Sequence, residues 1–428
     1  MLTLSIEKNL NFNRLYSDLI FEQIMSILRK TIKFIYHFID KILTTITLIF
    51  IKLYQLTISP DKWIFSPVLK DRVCSHTPHC SEYASQILKR YWFCRGLAPI
   101  ADRILSCKPS NKKMYDPAFY RVVFFSSANI WIPFLEELNW DDRFEICWVV
   151  TQADKPAWRW MQLKENPIKV KARELFPNES EDFIQTPLKI NPEKSVEWHN
   201  FYDWLKTKNP DFLVVISYGK ILPQSILDIP TFGPINVHWS LLPKYRGASP
   251  LQSIFLNKEE KSWITIMHMN AWMDTWDIID QLSFPLKFER TVKDLITALE
   301  KEGPKFLCNT LWNYGKRQIK AATQDESQAT ICQKIEKSDW EIDVYKDSLE
   351  DIYAKYRAYT IWPKIRFKLN EKTVIIEELQ LDESKYNENK DKPFIEWKNL
   401  NSAVVNIAIK PEWKKAMDWK SFCNGYLR

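Results

Sequence analysis

The sequence predicts an α/β protein in three parts: a Rossmann-like, helix-covered parallel sheet, a small helical module ahead of it, and a small OB-like β-barrel domain behind it. Three observations carry this. Between residues 120 and 314, short runs rich in β-branched residues alternate with longer helical stretches, the pattern of βαβ units. After Gln324 the runs become short and alternating, as in small barrels. Residues 1–117 carry 17 Lys+Arg against 9 Asp+Glu, so the excess behind the net charge of +7 is N-terminal. A basic module suits anionic lipid or nucleic acid. The expected domains are 1–117, 118–324 and 325–428.

The elements follow in order. In residues 20–57 the longest clean apolar run is Ile42–Ile51, bracketed by Lys41 and Lys52. Ten residues fall short of the roughly 20 needed to span a bilayer. The segment therefore reads as an amphipathic helix in the membrane interface, with a core helix of a small domain as the alternative. Strands are expected at Arg121–Phe125, Glu145–Val150, Asp211–Ile216 and Trp263–Met267, and helices at Ile132–Leu138, Trp198–Lys206 and Val292–Tyr314. Further strands fall at Lys364–Leu369, Thr373–Leu379 and Ala403–Ile409. The polar stretch Asp382–Lys392 has little to bury and reads as a loop.

Eight cysteines show no CxxC pair, and Met1–Asn13 is polar rather than signal-like, which suggests a reducing cytoplasmic setting. Cys74 and Cys80, with His76 and His79 between them, lack a second ligand cluster. They read as loop packing rather than a metal site, and no metal is expected.

Tryptophan outnumbers glycine, 19 to 7, where a chain of this length averages roughly 30 glycines. The tryptophans fall where a backbone wants glycine: Trp158-Arg159-Trp160 in a loop, Trp239 after His238, and Trp272 and Trp276 around Asp274. A bulky ring suits tight turns poorly. Replacing every tryptophan except Trp362 would bring glycine close to its usual frequency. Many of these positions therefore read as UGA codons that the source decodes as glycine.

The chemistry concentrates in two stretches. In Phe232–Pro250 an apolar strand ends in Asn236-Val-His238 and enters a proline-containing loop, the place where α/β sheets bind ligands. In Met267–Ile279, Asp274 sits between two suspected glycines. An amide, an imidazole and a carboxylate suit acyl transfer to an amine: two groups hold a developing oxyanion while the third relays a proton.

Together Asn236-Val-His238-x-Ser-Leu-Leu-Pro243 and Met273-Asp274-Thr-Trp-Asp277 resemble the two signatures of the formyltransferases that use 10-formyltetrahydrofolate. Within them the match is to methionyl-tRNA formyltransferases, over about residues 119–428. The resemblance implies Asn236, His238 and Asp274 as catalytic residues. It implies that Ser240, Leu241, Leu242 and Pro243 contact the folate. It also implies that a basic loop with Lys155, Arg159, Lys164, Lys169 and Lys171 touches initiator methionyl-tRNA through phosphates. The co-substrate is 10-formyltetrahydrofolate, with no metal. Phe125-Ser-Ser-Ala128 departs from the family's glycine-threonine turn.

Residues 50–117 resemble a second family, the membrane protein insertion efficiency factors, through Ile51–Pro60, Cys74–Tyr83 and Arg103–Pro109. This implies peripheral contact with the cytoplasmic face of the membrane. Two rival readings stand beside formylation of tRNA. One is a membrane-insertion factor carrying an inactive passenger, which predicts no transfer. The other is a formyltransferase for a small amine, which would need neither the basic loop nor the C-terminal domain.

Overall fold

The computed structural model describes residues 2–57, 59, 74–108, 114–156, 163–188, 196–269, 274–369, 372–396 and 399–426. The chain forms two compact units, Met1–Ala118 and Phe119–Arg428.

In the first unit, helix α1 (Leu2–Thr57) is continuous. Its Met25–Thr57 stretch, 33 residues containing an 18-residue window with a mean hydropathy of 1.6, is long and apolar enough to cross a membrane by length and composition. The sequence reading had counted only the uninterrupted apolar run; lysines spaced along a helix leave its length intact. A two-residue parallel pair joins β1 (His76–Thr77) to β2 (Met114–Tyr115). Helix α2 (Cys80–Ser106) breaks at Trp92, whose φ of 66° and ψ of −176° leave helical space. A break orphans amides of the next turn, and the Asp40 carboxylate, buried on α1, accepts the Cys94 N–H at 2.8 Å.

The second unit opens on β3 (Tyr120–Ser126), α3 (Ile132–Trp140) and β4 (Phe144–Val150). The short β5 (Lys155–Pro156) and β6 (Leu163–Lys164) pair as a hairpin, then come α4 (Pro167–Leu175), β7 (Ile184–Gln185) and α5 (Val196–Thr207). β8 (Phe212–Ile216) and β9 (Pro234–His238) follow. Every residue of β8 is buried, which is why it reads as an unbroken apolar run. The two-residue β10 (Arg246–Gly247) precedes β11 (Lys261–His268) and β12 (Ile278–Pro285).

The seven-stranded sheet has the order β12-β11-β9-β8-β3-β4-β7. Its β9-β8-β3-β4-β7 portion is parallel, but β11 runs antiparallel to both β9 and β12. The expected all-parallel sheet is therefore mixed. Residues 269–277 are too few for the crossover that a parallel return needs. One core holds Tyr120, Phe124, Leu135 and Val214, and a second holds Val123, Phe125, Phe201 and Val215; alternating residues of the same strands feed opposite faces.

Helix α6 (Val292–Gly315) opens with a Thr291–Asp294 capping box, and β13 (Ile331–Cys332) pairs with β10. After α7 (Leu349–Tyr359) come β14 (Arg366–Leu369) and β15 (Lys372–Leu381). The segment expected to be a loop carries helix α8 (Glu383–Asn389), nucleated by the Asp382 side chain accepting the Lys385 N–H at 3.0 Å. The hairpin of β16 (Ile395–Glu396) and β17 (Asn399–Leu400) precedes β18 (Val404–Pro411) and β19 (Met417–Asp418). The order β14-β15-β18-β19 gives a four-stranded antiparallel sheet, consistent with the small OB-like barrel expected in this part of the chain.

Candidate active site

Residues two apart on a strand share a face, so Asn236 and His238 point to the same side of β9. A pocket of about 340 Å³ opens there. Asn236, His238 and Asp274 line it together with Ser217 at the end of β8, Ala128 beyond β3, Gly247 and Gln252. The three residues expected to be catalytic are thus brought together.

The His238 ring is buried and fixed by its Nε2, 2.9 Å from the Tyr245 carbonyl. A carbonyl only accepts, so Nε2 carries the hydrogen. Nδ1 then faces Asp274, 3.7 Å from its Oδ1. That gap is longer than a hydrogen bond, and it sets a carboxylate oxygen against the ring nitrogen that carries no other partner bond among the described residues.

Asp274 is clamped. Its backbone is left-handed (φ 56°) and its Oδ2 accepts the Gly247 N–H at 2.9 Å. Gln324 Nε2 donates to the carbonyls of Asp274 (3.0 Å) and Trp276 (2.7 Å). Gln324 Oε1 accepts from the Arg246 guanidinium, which also pairs with Glu326 at 2.8 Å. Gly247 has φ 114°, and a Cβ there would lie 2.4 Å from the Cys332 carbonyl oxygen. Sequence reasoning assigned no role to Arg246, Gly247 or Gln324. The available signal was a glycine kept in a glycine-poor chain.

Among the described residues, Ser240–Pro243 do not line this pocket. Ser240 is fully buried, donating to the Lys244 carbonyl at 2.7 Å and accepting from Thr265 at 2.6 Å. Gln281 holds the Leu242 carbonyl at 3.1 Å. Leu241 and Pro243 are half-buried.

Two tryptophans wall the pocket. Trp131 and Trp239 meet edge to face with centroids 4.6 Å apart. Both are buried, and among the described residues neither indole N–H has a hydrogen-bond partner; a buried unsatisfied donor costs about 1–3 kcal/mol. Trp92 and Trp413 hold positive φ of 66° and 65°. Trp312, by contrast, packs against Tyr120 and under Lys316. Trp158, Trp160 and Trp272 lie outside the described residues.

The basic residues separate into two groups. Lys155 and Lys164 are cross-strand partners at the base of the β5–β6 hairpin, and Lys164 is exposed. Arg159 lies outside the described residues. On α4, Lys169 pairs with Asp154 at 2.6 Å, and Lys171 with Glu136 at 2.7 Å and Glu174 at 3.4 Å. The bond from Lys169 draws the Asp154 carboxyl below its ordinary range, and Glu136 raises the Lys171 ammonium.

Comparison with known proteins agrees with this architecture. The Formyl transferase family matches residues 120–311, and its C-terminal domain family matches residues 334–427. The YidD family of membrane protein insertion efficiency factors matches residues 43–119. A methionyl-tRNA formyltransferase from Sulfurovum sp. is 37% identical over 246 residues, 58% of this chain and 75% of that protein. One from Caldicellulosiruptor saccharolyticus is 33% identical over 313 residues, 71% of this chain and 96% of that protein. A solved structure of WlaRD, a sugar 3N-formyl transferase, covers 62% of this chain and 87% of its own at 18% identity and a TM-score of 0.42. That likeness adds nothing to the assignment, which rests on the sequence relatives. Two formyl transferase domains in the family's order, continued across nearly the whole of a relative, show that this chain belongs to the methionyl-tRNA formyltransferases, with a YidD-family module fused ahead of it.

Proposed function

We propose that the chain transfers the formyl group of 10-formyltetrahydrofolate to the α-amino group of initiator methionyl-tRNA. The observation that carries this reading is the convergence of Asn236, His238 and a clamped Asp274 on one pocket at the strand ends. The amine attacks the formyl carbon. Asn236 donates to the tetrahedral oxyanion, His238 does so through Nδ1 when that atom carries a proton, and Asp274 orients His238 and takes the amine proton. Collapse breaks the bond to the folate nitrogen, which takes the proton held by Asp274, and leaves tetrahydrofolate and formyl-methionyl-tRNA. No step calls on a metal.

In this reading residues 118–324 form the catalytic domain and 325–428 the tRNA-gripping domain. The Ser240 hydroxyl and the carbonyls of Ser240 and Leu242 are engaged within the protein, so the turn offers the folate the apolar surface of Leu241 and Pro243. The β5–β6 hairpin, with Lys155, Arg159 and Lys164, enters the acceptor end of the tRNA, supported from α4 by Lys169 and Lys171. Arg159→Ala tests this: tRNA use should weaken while folate binding holds. Parallel loss of both would argue for misfolding or another substrate.

The rings at Trp131 and Trp239 fill one wall of the pocket, and the positive φ at Trp92 and Trp413 suits glycine. These observations support glycine as the residue the source inserts at such positions. Residues 1–117 act at the inner membrane face, holding a cytoplasmic enzyme there. Fractionation after deleting residues 1–117 tests the tether, which fails if the truncated chain still pellets like the full one.

A further inference from the structure

We propose that Cys74, Cys80 and Cys107 form a binding site for a soft divalent cation of the zinc class, held by three thiolates. The pairing of Cys74 with Cys80 was visible in the sequence, but the third ligand was not. Cys80 starts α2 and Cys107 follows its end. A straight helix of that length would hold them about 40 Å apart. The break at Trp92 folds α2 back on itself, and all three sulfurs lie within 4.8 Å of one another.

The spacing fits a shared ion. Cys74 Sγ lies 3.5 Å from Cys80 Sγ and 3.5 Å from Cys107 Sγ. Sulfurs bound tetrahedrally to one zinc at ≈ 2.3 Å stand about 3.8 Å apart. A disulfide instead needs about 2.05 Å and would leave the third thiol without a role; all three are free. Thiolate ligands select zinc over magnesium or calcium.

The frame around the sulfurs is fixed. The β1–β2 pair brackets the site. Arg103, buried on α2, reaches the Pro78 carbonyl at 2.8 Å and pairs with Asp116, tying the Cys74–Cys80 loop to the segment after Cys107. Ser75 Oγ donates to Cys107 Sγ at 3.7 Å and lies 3.1 Å from His76 Nδ1. These contacts form an outer shell around a ligand. The three sulfurs are half-buried.

The test uses the full reduced chain. After incubation with zinc and desalting, it should retain one metal ion per chain beyond that of the Cys74→Ser, Cys80→Ser and Cys107→Ser variants, which should fall to background. Cys94→Ser, an exposed cysteine of the same unit, should keep the full complement. Cobalt in place of zinc should give thiolate-to-metal charge-transfer absorption in the parent chain, a readout independent of how any variant folds. A parent chain with reactive thiols but no retained metal and no such absorption overturns the proposal, as does unchanged retention in Cys107→Ser.

Discussion

The carboxylate of Asp274 holds one oxygen 3.7 Å from His238 Nδ1 and the other 2.9 Å from the backbone N–H of Gly247. The second contact fixes the first. Because His238 Nε2 is committed to the Tyr245 carbonyl, Nδ1 is the only ring atom left for proton exchange. Removing one transition-state donor typically costs about 10²–10³ in rate. His238→Ala and Asp274→Asn should each lower kcat by at least about 10² with folded structure retained. Steady-state kinetics with circular dichroism on the same samples checks this.

Gln324 acts at one remove. It touches no reacting atom in this account, but it ties the carbonyls of Asp274 and Trp276 to Arg246. Gln324→Ala should cost about tenfold in kcat, or about 1.4 kcal/mol, with folate affinity unchanged. Gln324→Glu keeps an acceptor for Arg246 but loses the donor to the turn, and should recover little. Binding titrations beside turnover separate this positioning role from loss of folate binding.

The two groups of basic residues should behave differently. Lys164 is exposed at the hairpin base, so Lys164→Glu should raise KM for tRNA and flatten its salt dependence, because fewer counterions are released. Lys171 lies in a surface ion-pair cluster with Glu136 and Glu174. Lys171→Ala should change stability by only about 0–1 kcal/mol. Kinetics at two salt concentrations and thermal melts distinguish the two.

His268 gives a pH dependence of stability. Burial lowers its folded pKa, with Asp277 opposing, and Nε2 lies 2.8 Å from the Tyr314 hydroxyl. The folded state therefore resists protonation, and the unfolded chain binds more protons below its ordinary value of about 6.5. Stability should fall as pH drops from about 7.5 to 5.5. His268→Gln should reduce that fall; thermal melts at both pH values read it directly.

Part of this was legible in the sequence because it is local. β8 is buried on both faces, so Phe212–Ile216 had to be apolar throughout. Asn236 and His238 share one strand end, so their spacing alone placed them on one face. What stayed hidden depends on contacts between distant segments. Arg246 meets Gln324 across 78 positions and Cys74 meets Cys107 across 33. No local pattern encodes either. Helix α8 was missed because its turn is exposed and polar, with a single side-chain cap at Asp382 to nucleate it. The antiparallel β11–β12 pair was missed because the short link at 269–277 was read for its acid rather than for its length.

The glycine assignment has its own check. At Trp239 an indole replaces backbone space beside His238, and overpacking costs typically about 1–3 kcal/mol per site. At Trp92 the backbone lies in a region nearly reserved for glycine. Mass spectrometry of the native peptide Phe232–Lys244 should give the mass for glycine at position 239. A tryptophan mass there would contradict the assignment and favour the inactive-passenger reading.

The most direct test of the whole account is transfer of labelled formyl from 10-formyltetrahydrofolate to initiator methionyl-tRNA by the purified chain carrying the residues its source inserts. The account predicts formyl-methionyl-tRNA as product, with Asp274→Asn reduced by at least about 10². A folded chain that binds folate yet formylates no methionyl-tRNA, or an Asp274→Asn variant within about threefold of the parent, would contradict it.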